Sequence, residues 1–349
     1  MTGIVDVAAQ AGVSVATVSR ALRGLPGVSS TTRASIQAIA SELGYVASPS
    51  AAGLPSGRTG AVGVVSPVAR GWYFTAVSEG AQAVLAAGGY DILRYGLTDV
   101  ETSRRRVVDT QLLRKRVDGL IVLSLPLTAA EVASLGVMGR PVIVVGPVMS
   151  GLPSVRIDDV EVGRVSTQHL VDLGHRRIAF VGGNPDDNLG FPVAPDRQQG
   201  YREVLCAAGV EVDPSLTVPA KFTTESGVAA WEALYRRDRP LPTAVVAASD
   251  EIAMGLIYAA RRAGVRVPED LSVIGVDDHD MAWLFDLTTV AQPVRDQGRI
   301  AARTLLERLR AGGPPEPHVT TVPVELIVRG TTAAPEVRSR PRSRSGSPC

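Results

Sequence analysis

The chain has 349 residues, 45 % of them hydrophobic, a net charge of +1 and only two cysteines. That length exceeds what one apolar core usually serves, so two or three domains are expected. Cys206 and Cys349 make no disulfide framework, the longest apolar runs, such as Val142 to Val145, are too short to cross a bilayer, and no charged-then-apolar leader follows Met1. A cytoplasmic protein is therefore expected, with no membrane partner and with Cys206 as a small buried residue.

Residues 4–22, IVDVAAQAGVSVATVSRAL, hold two short helical patterns that meet at Ala11-Gly12-Val13-Ser14. Gly12 can take the positive φ that ends a helix, and Ser14 is a good N-cap. Val18 and Leu22 face the first helix, which leaves Val15, Ala16, Ser19 and Arg20 outward, where a recognition helix meets base edges; Arg20 is the one long donor there. An ordinary helical hairpin would show the same pattern. A third amphipathic segment runs from Ser29 or Ser30 through Ile36, Ile39 and Leu43 to Gly44. Ser48-Pro49 then opens a helix of two turns at most, too short to stand alone, with Leu54 as its one large apolar residue. Residues 1–58 carry Arg20, Arg23, Arg33 and Arg58 against Asp6 and Glu42, a net of +2. Phosphate contacts in such a segment lean on hydroxyls, backbone amides and helix N-termini.

From Gly60 onward strands and helices alternate, as in parallel sheets covered on both faces. The first series of strands is Ala61 to Val65, Asp91 to Tyr95, Gly119 to Leu123 and Val142 to Val145, with helices over Ala76 to Ala87 and Ser103 to Arg114. The second is Arg177 to Val181, Ala244 to Ala247 and Leu271 to Val276, with helices over Val162 to Leu173, Gln199 to Ala208, Ser226 to Tyr235 and Glu251 to Ala263. Two such series predict two lobes with a cleft between them, and Val319 to Val328 is expected to return as strands crossing between the lobes. Ligands of open parallel sheets bind beyond the carboxyl ends of strands. There the sequence places Trp72-Tyr73-Phe74 in a strand-exit loop, Ser124, Asp158-Asp159 and Asp277-Asp278, with Arg197 just before a helix. Each carboxylate is also readable as a helix cap, the aromatics as core and Arg197 as a solvated side chain; together they are the acceptors and fork that hydroxyl-rich ligands need.

The strings DVAAQAGVSVATVSRALRG, VSSTTR, ELGY and AAGLPSGRTGAVGVV, in this order and spacing, resemble the headpiece, hinge and first core strand of the LacI/GalR family of transcription regulators. The resemblance covers residues 3 to about 331. It implies an N-terminal all-α helix-turn-helix headpiece (1–47), a hinge helix and linker (48–58), and an α/β core of two doubly wound parallel-sheet lobes, periplasmic-binding-protein-like (59–331). The lobes would be 59–160 with 290–320, and 161–289 with 321–331; 332–349 is expected to be a disordered basic tail.

Carried over, Val15, Ala16 and Arg20 read bases; Ser14, Thr17, Ser19 and Thr32 lie near phosphates; and Leu54 wedges into the minor groove, with Arg23 expected among the DNA-binding residues. The resemblance likewise gives the effector Arg197 and Asp277, sets Phe222 over the ligand, and matches Ser249-Asp250 to the family's Asn-Asp pair. Gly3 stands where the family has a Thr or Ser cap, Gly53 and Pro55 flank Leu54, and Gly146 stands where some members have Asp. The implied protein is a homodimeric, ligand-responsive repressor of carbohydrate genes on a palindromic double-stranded DNA operator, with a sugar-like effector and no cofactor.

Enzyme readings find no reactive set. His169, His175, His279 and His318 show no His/Cys or metal-ligand spacing, and Gly182-Gly183-Asn184 lacks the rest of a phosphate loop. The rival class is a periplasmic-type sugar-binding protein, which would need a signal peptide and no headpiece.

Overall fold

The computed structural model describes residues 3–45, 58–67, 71–97, 113, 115–137, 139–183, 193–235, 240–312 and 316–336. Leu54, the hinge helix, Asn184, residues 337–349 and, apart from Leu113, the expected helix over Ser103 to Arg114 lie outside the described residues.

Three short helices, α1 (Ile4–Ala11), α2 (Val15–Leu22) and α3 (Ser30–Glu42), share a core of Val7, Ala8, Val18, Ala21, Ile36 and Ala40. Gly12 ends α1 at φ 64°, a conformation that glycine takes without strain. Ser14 and Ser29 cap α2 and α3 by accepting the N–H of Thr17 (3.2 Å) and Thr32 (3.1 Å). Gly3 has no side chain with which to cap α1, and Asp6 reaches back to accept its N–H at 2.8 Å.

The remaining strands are β1 (Ala61–Pro67), β2 (Asp91–Leu97), β3 (Gly119–Leu123), β4 (Val142–Val145), β5 (Ser154–Arg156), β6 (Ile178–Val181), β7 (Thr217–Val218), β8 (Ala244–Ala247), β9 (Ser272–Asp277), β10 (Thr288–Ala291), β11 (Val319–Thr321) and β12 (Glu325–Ile327). They form two six-stranded sheets, ordered β11-β5-β4-β3-β1-β2 and β12-β10-β9-β8-β6-β7. Every pair is parallel except β10 with β12. Strands β1, β3, β4, β6, β8 and β9 are buried along their whole length, as a sheet covered on both faces requires.

The covering helices are α4 (Trp72–Ala87), α5 (Ala129–Val137), α6 (Asp159–Asp172), α7 (Val193–Ala207), α8 (Thr224–Leu234), α9 (Asp250–Arg262) and α10 (Val294–Ala311). The chain passes between lobes three times: from β5 into α6, from β10 into α10, and from β11 to β12. Residues 288–291 therefore pair in the second sheet, and the passage back to the first lobe falls after them. Helix α10 crosses α4 where a Cβ on Gly80 would lie 1.9 Å from the Arg295 carbonyl oxygen and one on Gly298 would lie 2.0 Å from that of Val77. Helices α6 and α7 repeat the device: Gly163 against Arg197 O and Gly200 against Val160 O, both at 2.0 Å.

Four expectations change. Helix α4 begins at Trp72, so the three aromatics are its first turn and not a loop. Helix α7 begins at Val193, so Arg197 lies inside it and is buried. Cys206 is exposed, because the buried face of α7 runs through Arg197, Gly200, Tyr201, Val204 and Leu205 and turns Cys206 outward. Residues 332–336 are not part of a free tail: Thr332 bonds His169 Nε2 (2.9 Å), the Ala333 carbonyl bonds His175 Nε2 (2.8 Å) and Glu336 pairs with Arg266 (3.4 Å).

Candidate functional site

Helix α2 turns Val15, Ala16 and Arg20 outward, while Val18 and Ala21 close the core beneath. Ser19 and Thr17 sit partly buried at its flanks, and Arg23 is its exposed C-cap. The hydroxyls of Ser14 and Thr17 meet at 2.9 Å, and those of Ser29 and Thr32 repeat the pairing at 2.7 Å. Two helix N-termini thus present the same hydroxyl pair, an arrangement suited to a phosphate where basic side chains are few. Arg33 is committed elsewhere: its guanidinium donates to the Leu25 carbonyl at 2.7 Å and pins the loop after α2.

The cleft between the lobes gathers side chains from strand ends and helix starts. Ser124, just beyond β3, is buried at φ 45°, and Asp277, the last residue of β9, is buried at φ 125°; neither backbone conformation comes easily to a residue with a side chain. Arg197 Nε donates to Asp159 at 2.9 Å, and its Nη1 donates to the Ala248 carbonyl. Gln292 Nε2 donates to Asp277 at 2.5 Å, Gln297 Nε2 to Gln292 at 2.9 Å, and the Tyr73 hydroxyl to Gln297 at 3.3 Å. One chain of hydrogen bonds therefore runs from Asp277 in the second lobe to Tyr73 in the first.

Burial dominates the electrostatics. It pushes Asp277 up to about 6, against the Arg197 guanidinium and the Gln292 bond, which favour the carboxylate. It raises Asp159 despite Arg197, and raises the Tyr73 hydroxyl despite a bond from Ser124. Asp250 is pushed well up by burial and by its neighbour Asp277. Glu251 rises to about 7, first by burial and then by Asp277. Among the described residues the cleft thus holds more carboxylates than guanidiniums, and Arg197 already answers one of them.

The other expected residues have different surroundings. Phe74 meets Tyr73 edge-on at 5.3 Å and packs into the core, because consecutive helical residues fan out by about 100°. Trp72 faces the second lobe, donating from Nε1 to Asp280 at 2.8 Å. Ser249 accepts the Ile252 N–H as the N-cap of α9. Asp250 is fully buried, accepting from Thr289 Oγ1 (2.7 Å) and the His279 N–H (2.8 Å), in space that Gly275 leaves open by lacking a Cβ. Phe222 is partly buried and packs on the main core, just before the Thr223 cap of α8. Asp158 caps α6, and Asp278 pairs with Arg329 at 2.6 Å. Sequence reasoning passed over Gln292, Gln297 and Glu251; Gln292 follows a strand end, by the rule that picked out Asp277. No cluster of potential metal ligands occurs among the described residues.

Residues 3–48 match the family described as bacterial regulatory proteins, lacI family, and residues 167–332 match a periplasmic binding protein-like domain. The chain is 38 % identical to the HTH-type transcriptional regulator reg1 of Streptomyces lividans, over 97 % of this chain and 99 % of that one. Among solved structures, a transcriptional regulator CelR–cellobiose complex is 32 % identical with a TM-score of 0.69, covering 95 % of this chain and all of the other. The lac repressor dimer bound to operator and the anti-inducer ONPF has a TM-score of 0.81 at 26 % identity, covering 95 % and 99 %.

Proposed function

The chain belongs to the LacI family of bacterial regulatory proteins, DNA-binding regulators of transcription, and from that premise we propose a dimeric repressor of carbohydrate uptake and catabolism genes. The observation that carries this reading is one chain holding both a helix of the DNA-binding module that turns Val15, Ala16 and Arg20 outward and a group of polar side chains between the lobes, Arg197, Asp277, Gln292, Gln297 and Tyr73. The cleft takes a small sugar-like effector: buried carboxylates and amides accept and donate to hydroxyls, and the similar CelR structure holds cellobiose. Among the described residues no helix is long and apolar enough to cross a membrane. The rival reading, a sugar-binding protein without a role on DNA, leaves the module of residues 3–45 unexplained.

A second copy of the chain supplies the other half of the palindrome. Met281, Trp283 and Leu284 lie together on the second lobe, with Trp283 71 % and Leu284 60 % exposed, and an apolar patch of that kind is suited to a partner. The test selects a duplex from random DNA with the parent protein, then titrates it against cellobiose and a panel of neutral mono- and disaccharides. Arg20→Ala is expected to cost about 1–3 kcal/mol on the selected duplex and far less on random DNA. Equal loss on both would show that Arg20 touches phosphate alone. Failure of every sugar to change the affinity would remove the effector assignment.

A further inference from the structure

One cluster at the cleft mouth is not used by the ligand reading. Trp72, Glu79 and Arg295 belong to the first lobe, on α4 and α10; His279, Asp280 and Glu251 belong to the second. Asp280 receives both ends of the Arg295 fork, at 3.0 and 2.8 Å, and the Trp72 indole N–H at 2.8 Å. Arg295 is held from behind by Glu79 at 3.1 Å and sits 5.8 Å over the Trp72 ring. The same ring meets His279 at 4.7 Å, tilted, and the Trp72 backbone N–H bonds to Glu251. These contacts bridge the two lobes directly, side chain to side chain.

The far end of α10 is also tied. Eighteen residues make a rod of about 27 Å. Arg295 stands in its first turn, and the Leu309 carbonyl in its last turn accepts from Arg58 Nη2 at 3.1 Å. Arg58 is where the chain enters the first lobe after the segment that follows the DNA-binding module. The next two residues, Thr59 and Gly60, donate their N–H groups to the buried Asp118 carboxylate at 2.9–3.0 Å. One rigid element therefore touches the second lobe at one end and the linker at the other.

We propose that Trp72, Arg295 and Asp280 form a latch that sets the closed state of the cleft, and that α10 carries the state of the latch to the linker through Arg58. The coupling half rests on the reading as a DNA-binding regulator; the latch itself does not. A two-state latch biases DNA affinity only where the two states differ at the linker, and among the described residues the Arg58–Leu309 contact is a place where α10 can make them differ.

The test uses the full chain and the variants Asp280→Asn, Arg295→Met and Arg58→Met. The altered side chains are half exposed at the latch, so the fold is retained; thermal unfolding checks this. Hydrogen exchange over residues 72–87 and 278–286 is expected to rise roughly three- to tenfold in Asp280→Asn and Arg295→Met, and no further in the double variant. Affinity for a duplex selected by the parent protein is expected to shift several-fold, in one direction for both. In the Arg58→Met background the shift disappears while the faster exchange persists. Unchanged exchange in both single variants would overturn the latch; a shift that survives Arg58→Met would overturn the route through α10. A parent protein that selects no duplex would defeat the regulator reading, and the exchange result would still decide the latch.

Discussion

The two lobes are built to one plan, and they differ where they face the cleft. Reading the sheets from β2 and from β7 gives the same order of strands, and each lobe has a helix pair crossed at two glycines. Strand β4 is followed by Gly146 at φ 110°; its counterpart β9 ends at Asp277 with φ 125°. The same backbone turn is made by glycine in one lobe and by a buried, strained carboxylate in the other. After β3 the chain runs on through Ser124 to Leu127 before Thr128 caps α5 in a reciprocal box with Glu131; after β8, Ser249 caps α9 at once. The first lobe keeps Ser124 free of capping duty and, with Tyr73 and Gln297, offers neutral groups within the cleft, its Arg295 and Glu79 standing at the mouth, whereas the second lobe places Arg197, Asp159 and Asp277 within. Shared architecture fixes where a side chain can stand, and single substitutions at those places decide which lobe carries the chemistry.

The glycine crossings give the largest test of this equivalence. Gly80→Ala and Gly163→Ala place a methyl group on a backbone carbonyl, so each is expected to cost more than about 4 kcal/mol by thermal unfolding. If one lobe tolerated its alanine, the two crossings would not be equivalent. Next comes Arg197→Ala, which strands the largely buried Asp159: a loss of about 3–5 kcal/mol of stability is expected, together with loss of the effector's influence on DNA binding. Full switching at ordinary effector concentrations in this variant would place the effector elsewhere.

Asp277→Asn is expected to act in the opposite sense on stability. The folded-state value of Asp277, about 6, lies above its ordinary 3.8, so between about pH 4 and 6 the native protein holds a proton that the unfolded chain has released. Stability linked to this group is present below about pH 4 and is lost as pH rises through 6, up to about 3 kcal/mol. Asparagine also sits more easily at positive φ. Asp277→Asn should therefore raise the unfolding temperature at pH 7.5, and the gain should fade by pH 4, while the effector response disappears. An equal gain at both pH values would show relief of strain alone. The smallest effect is expected for Ser249→Ala, about 1 kcal/mol from one lost cap, measured by the same unfolding experiment.

What the sequence made legible was local. The turn at Gly12-Val13-Ser14 and the runs Gly119–Leu123, Val142–Val145 and Ala244–Ala247 announce themselves within a few residues, and the structure has these strands at the same bounds. The surroundings of Arg197 are decided 38 and 51 residues away, by Asp159 and Ala248, so its burial left no local trace. Trp72-Tyr73-Phe74 opens a helix with no local notice, because aromatic residues carry no helix-start signal and Gly71 caps α4 without a side chain. Gln292 and Gln297 gave no chemical hint, since amides matter here only through each other.

The order in which the chain is laid down gives the three passages between lobes a further meaning. The DNA-reading helices are complete at residue 42, whereas the first lobe waits for α10, which brings Leu305 against Gly119, and for β11, its last strand, at residue 321. At about 5–20 residues per second that interval is on the order of tens of seconds. During synthesis the DNA-binding module is finished long before the two-lobed core, and a chain cut short after β10 would keep the first and lack the second.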